Sequence, residues 1–117
     1  MIDRRVARSY FTDKALGAWL GAVTRRNGAE AMVVADDDGL LIGGNIEGEE
    51  AEELAAVAAG SPGDEFHGRP LTVRRHAWQG ETLYIAALGD RAAANAGIDE
   101  ARTGVDRILA EGGRTPL

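Results

Sequence analysis

The apolar positions of this chain change period several times, and each change marks an element. Leu16, Trp19, Leu20 and Val23 recur at i, i+3, i+4 and i+7, the stripe of an amphipathic helix. Thr12 or Asp13 can cap that helix, because their side-chain oxygens accept an otherwise unpaired N–H. Arg25 and Arg26 stand in its last turn, where cations complement the helix dipole, and Asn27-Gly28 stops it. Two short apolar runs follow, Met32 to Val34 and Leu40 to Ile42, split by Asp36-Asp37-Asp38-Gly39. That pattern predicts a β-hairpin over roughly residues 30–35 and 40–44. Both strands are apolar at adjacent as well as alternate positions, so helices should cover both faces of the sheet.

Ala51, Leu54, Ala55 and Ala58 then make the buried face of a second helix, about residues 49–59, ended by Gly60-Ser61-Pro62-Gly63. Residues 64–68 form either a very short edge strand or a loop. Residues 71–78 alternate, with Leu71, Val73 and Ala77 on one face and Thr72, Arg74, His76 and Trp78 on the other. Gln79-Gly80 turns the chain, and residues 82–88 return with both faces apolar. A last helix, about residues 91–111, carries Ala94, Ile98, Ala101, Val105, Ile108 and Leu109 at helical spacing. Gly97 and Gly104 lie inside it, either for close approach to a neighbour or as a break near Gly97. Ile2, Val6 and Tyr10 are four apart and suit a helix, but residues 1–11 read rather as a mobile basic arm, and residues 112–117 as a fraying tail.

A length of 117 residues is that of one domain, and 44% hydrophobic with 27% charged residues suits a globular core. The chain has no cysteine, which excludes disulfides, thiol catalysis and cysteine-bound metal. No apolar run approaches a membrane span, and the start lacks the apolar core of a signal peptide, so the cytoplasm is the expected compartment. The net charge of −6 is unevenly spread: residues 1–26 carry +4, residues 27–66 carry −11 without any Lys or Arg, and residues 67–117 carry +1. An acidic centre argues against nucleic acid and anionic membranes, and it permits a basic protein partner.

The candidate chemistry is thin. The three aspartates of the hairpin do not fit a calcium loop, because position 34 is Val. The glycines before the second helix lack the Gly-Lys-Ser/Thr ending of a phosphate loop, and the neighbouring glutamates would repel an anion. His67 and His76 stand apart without a ligand pattern, and neither Ser9 nor Ser61 sits in a nucleophile elbow. No catalytic residue, cofactor site or metal site is expected, and the chain reads as a non-enzyme. Arg74, His76 and Trp78 share a strand face, which makes them either an interface cluster or a face covered by a helix.

The order helix, hairpin, helix, two or three strands, helix resembles the roadblock domain, shared by roadblock-type dynein light chains and bacterial co-regulators of Ras-like GTPases. Residues 28–43 (GAEAMVVADDDGLLIG) resemble that family's first hairpin, and residues 52–59 (EELAAVAA) its central helix. Phe66-His67-Gly68 falls where its third strand ends, Leu83 to Gly89 (LYIAALG) resembles its last strand, and Ile98 to Leu109 its last helix. The resemblance covers residues 12–111.

It implies an α+β, three-layer α/β/α sandwich with a central antiparallel sheet of four to five strands. The first and last helices would lie on one face and the middle helix on the other. It also implies a homodimer in which middle helices pair and edge strands join, and a non-catalytic regulatory or scaffold role binding a small Ras-like GTPase. Glu50, Glu53, Leu54, Val57 and Phe66 are then expected near the dimer contact. The short middle helix and reduced third strand depart from the family pattern at that contact. A small-ligand sensor with a pocket beside Ala55, Ala58, Ala86 and Gly97, or a structural subunit of a larger assembly, are the competing readings.

Overall fold

The computed structural model describes residues 4–60 and 62–113, with side chains described for residues 13–60 and 62–111. Helix α1 (Arg4–Asn27) leads into strands β1 (Ala31–Ala35) and β2 (Leu41–Gly44), and helix α2 (Glu49–Ala59) follows. Strands β3 (Glu65–Phe66), β4 (Arg69–Trp78) and β5 (Glu81–Leu88) precede helix α3 (Arg91–Gly113). The five strands form one antiparallel sheet in the order β2-β1-β5-β4-β3.

The expected sandwich is therefore present, and alternation along the strands builds both of its interfaces. Met32, Val34, Leu83, Ile85 and Ala87 face α1 and α3, where they meet Leu16, Leu20, Val23, Ile98 and Val105. Ala31, Val33, Leu71, Ala86 and Leu88 face α2, where they meet Ala51, Leu54 and Ala58. Every residue of β1 is buried, as expected of a strand covered on both sides.

Two helix boundaries differ from the sequence reading: α3 runs on to Gly113 rather than giving way to a tail at residue 112, and α1 starts well before its expected cap. Helix α1 begins at Arg4, so neither Thr12 nor Asp13 is its N-cap, and residues 4–11 continue the helix rather than forming an arm. Once α1 is nucleated by its packed second half, each added residue gains a hydrogen bond at little cost, and the four-residue spacing of Val6 and Tyr10 is then the helical one. Ile2 and residues 114–117 lie outside the described residues, as do the side chains of Val6 and Tyr10.

Glycines decide how closely the layers approach. A Cβ on Gly43 would sit 2.8 Å from the Leu16 Cβ, so its absence lets α1 lie directly on β2. Gly97 faces the Met32 methyl at a distance that leaves little room for a side chain, and Gly104 receives the Trp19 ring. Helix α3 does not break at Gly97. The Trp19 indole N–H also donates to the Ala101 carbonyl at 3.0 Å, which locks α1 onto α3. Gly39 takes φ 84°, and the Asp36 carboxylate accepts the N–H groups of Asp38 and Leu40 at 2.9 Å. The aspartate run thus shapes the hairpin turn.

A polar pin closes the far end of the helix pair. Arg26 and Asn27 both donate to the Glu100 carboxylate, and these bonds, Arg26 first, hold Glu100 below the usual carboxylate range. The stabilisation is present above the unfolded-state value and is lost as pH falls through the lowered folded value. Thermal melts of the wild type and Glu100→Gln should accordingly differ near neutral pH and converge in acid. A gap that widens on acidification would contradict this pin.

Candidate interaction surfaces

Helix α2 presents the most strongly charged surface. Its buried side is small, and Leu54 is its largest anchor. Its outer side carries Glu49, Glu50, Glu52 and Glu53, all exposed. Gly48, at φ 83°, precedes the helix without a side-chain cap, so the carboxylates of the first turn are what complement its positive end. Two of the four glutamates, Glu50 and Glu53, are tied to the β3–β4 corner. Glu50 accepts from Arg69 at 2.9 Å, and Arg69 also reaches Glu30 at 3.2 Å. Glu53 lies 2.6 Å from His67 Nε2, in a corner where His67 itself adopts φ 52°. These exposed pairs orient the corner more than they stabilise it.

The predicted site residues separate into two groups. Glu50, Glu53, Leu54, Val57 and Phe66 gather on the α2 side of the sheet. Within that group Leu54 and Phe66 are core residues, 0% and 4% exposed, while Glu50, Glu53 and half-buried Val57 are open to a partner. Arg74, His76 and Trp78 lie on the opposite face, beneath α3. Arg74 donates to Asp99 at 2.8 Å, His76 Nε2 lies 2.6 Å from Asp106 Oδ1, and Trp78 packs against the core. This is the helix-covered strand face.

The four small residues considered for a ligand pocket do not converge. Ala55, Ala58 and Ala86 belong to the α2 side, whereas Gly97 touches Met32 on the other face. A cavity of about 300 Å³ lies elsewhere, at the end of the sheet between the two hairpin turns, lined by Asp36, Asp37, Ile42, Trp78, Glu81 and Leu109 among others. Among the described residues no group of three His, Asp or Glu side chains is placed to hold a metal ion. No described helix is long and apolar enough to cross a membrane.

Sequence reasoning missed Asn45. Its side-chain carbonyl accepts the Met32 N–H at 2.8 Å, and its amide reaches the Thr24 hydroxyl at 3.3 Å. One residue thereby ties α1 to β1 just before the chain enters α2, and an Asn after two glycines gave only a turn signal.

A single antiparallel sheet lies between α1 and α3 on one face and α2 on the other, as the roadblock resemblance implies. The family comparison agrees: residues 17–61, which span the C-terminal part of α1, the first hairpin and α2, match the Roadblock/LC7 domain. The match bears out the roadblock resemblance in the part of the chain that holds the acidic helix. Roadblock/LC7 domains are non-catalytic, often dimeric protein-interaction modules with regulatory or adaptor roles. No curated protein and no solved structure matches the chain.

Proposed function

We propose that this protein is a non-catalytic regulatory scaffold of the cytoplasm that forms a homodimer and binds a small Ras-like GTPase. The observation that carries this reading is the exposed acidic face of α2, within the segment that matches the Roadblock/LC7 domain. Four carboxylates on one short helix, in a 40-residue stretch (27–66) without Lys or Arg, favour a basic protein surface and speed its encounter. The partner's nucleotide state would be read through this face, and the scaffold supplies no catalytic group of its own.

The dimer rests on the α2 side, around Glu50, Glu53, Val57 and the β3 corner that Phe66 anchors. Val57 is half-buried in the isolated chain, so a second copy would complete its burial. Val57→Asp should leave the far-ultraviolet spectrum unchanged and weaken self-association at least tenfold, because a carboxylate would then be desolvated at the contact. Sedimentation equilibrium reads this directly, and an unchanged association constant would remove Val57 from the contact. GTPase binding is tested by calorimetry with purified Ras-like GTPases of both nucleotide states. Affinity that differs between the GTP-analogue and GDP forms is the expected result, and absence of binding to any of them would overturn the assignment.

A further inference from the structure

The outer edge of β4 is left open by the shortness of β3. The β4–β5 register runs without a bulge from Leu71↔Leu88 to Trp78↔Glu81. The Gly89 N–H donates to the Pro70 carbonyl at 3.1 Å, so residue 70 and its even-numbered successors bond to β5. The odd-numbered residues of β4 must then point their N–H and C=O groups outward. The Leu71 N–H confirms this, since it donates at 2.9 Å to the Asp64 carbonyl beside β3. Strand β3 pairs only with Arg69 and Pro70, so it protects nothing beyond Leu71. Val73, Arg75 and Ala77 thus offer three outward N–H groups that no described residue accepts.

Two arginines flank this edge, while the nearby carboxylates of Asp99 and Asp106 are engaged by Arg74 and His76. Arg75 is exposed on the α2 side of the sheet, over a region where α2 itself lies on β1, β2 and β5. From the other side Arg102 reaches over the edge and donates to the Arg75 carbonyl at 3.0 Å, and its Nε has no acceptor among the described residues. A two-fold pairing of β4 with β4 of a second copy, centred on Arg75, would set two arginines directly opposite, which is unfavourable. An acidic strand would instead place carboxylates against Arg75 and within reach of Arg102.

We infer that the Val73–Ala77 edge of β4 takes up an extended, acidic segment of a partner protein as a sixth strand. Main-chain hydrogen bonds to Val73, Arg75 and Ala77 supply the docking, and Arg75 and Arg102 select for carboxylates at alternate positions. The site begins where the β3 corner proposed for the dimer ends: Val73 lies about 14 Å and Ala77 about 27 Å along the strand from Arg69, at an antiparallel rise of about 3.4 Å per residue. The inference therefore stands whether or not the partner of α2 is a GTPase.

The test uses the full chain, isotope-labelled for amide exchange, with a blocked nine-residue peptide of alternating valine and glutamate. Binding should slow exchange of the Val73, Arg75 and Ala77 amides at least tenfold, and a peptide with lysine in place of glutamate should bind at least tenfold more weakly. Ala77→Pro removes one outward donor at an edge position where proline is tolerated, and it should weaken binding at least tenfold. Arg75→Glu should do the same without touching the backbone. Three results would overturn the inference: no binding, which would leave the arginines as simple edge protection; binding unaffected by Ala77→Pro; or protection of these amides that rises with protein concentration in the absence of peptide, which would give the edge to a second copy.

Discussion

Gly104→Ala should destabilise the protein by about 1–3 kcal/mol, against the ordinary helix preference for alanine, because a methyl group at that position would overlap the Trp19 ring. The Trp19 indole cannot simply withdraw, since its N–H is held by the Ala101 carbonyl one turn earlier on α3. Relief therefore requires α1 and α3 to separate, and these two helices share the larger of the two cores. In a Trp19→Ala background the sign should reverse. That variant alone should cost at most about 3–5 kcal/mol, the range for a fully buried aromatic, because Trp19 is partly buried against the core. Adding Gly104→Ala to it should then recover up to about 1 kcal/mol through helix propensity. A double-mutant cycle by urea unfolding measures the coupling, and additive effects of the two changes would show that Trp19 and Gly104 do not act as a pair.

The largest functional effect is expected from the free carboxylates of α2. Glu49→Lys combined with Glu52→Lys reverses two charges on an exposed face and leaves in place Glu50 and Glu53, which hold Arg69 and His67. Each change also puts a cation near the positive end of the helix, costing about 0.3–1 kcal/mol of stability per site. The fold should survive that loss. Binding to the GTPase should fall at least tenfold, and the residual binding should lose most of its dependence on ionic strength. Calorimetry at low and moderate salt distinguishes this from a general loss of structure. Unchanged affinity would mean that a surface other than α2 meets the partner.

Where a periodic pattern coincided with burial, the sequence was informative. The α2 residues Ala51, Leu54, Ala55 and Ala58 are the ones the structure buries. The alternation along β4 and β5 also assigned their two faces correctly, because a strand's side chains have no choice of side once one face is buried. Contacts between residues distant in the chain were not legible. Asp99 and Asp106 meet Arg74 and His76 across 25 and 30 positions, and no spacing rule distinguishes that pairing from solvent exposure. Gly104 read equally well as a packing device or a weakness in α3, and only the arrival of Trp19 from α1 decides between them. The β4 edge was hidden for a related reason. Strand order and the two-residue length of β3 leave it open, and strand order is a property of the whole sheet.

Native mass spectrometry of the purified protein mixed with a Ras-like GTPase tests the central claim most directly. The scaffold reading predicts twice the 12.3 kDa chain mass for the protein alone, and a heavier complex in which the added GTPase retains its nucleotide. A bare 12.3 kDa monomer that ignores the GTPase in either nucleotide state would contradict it.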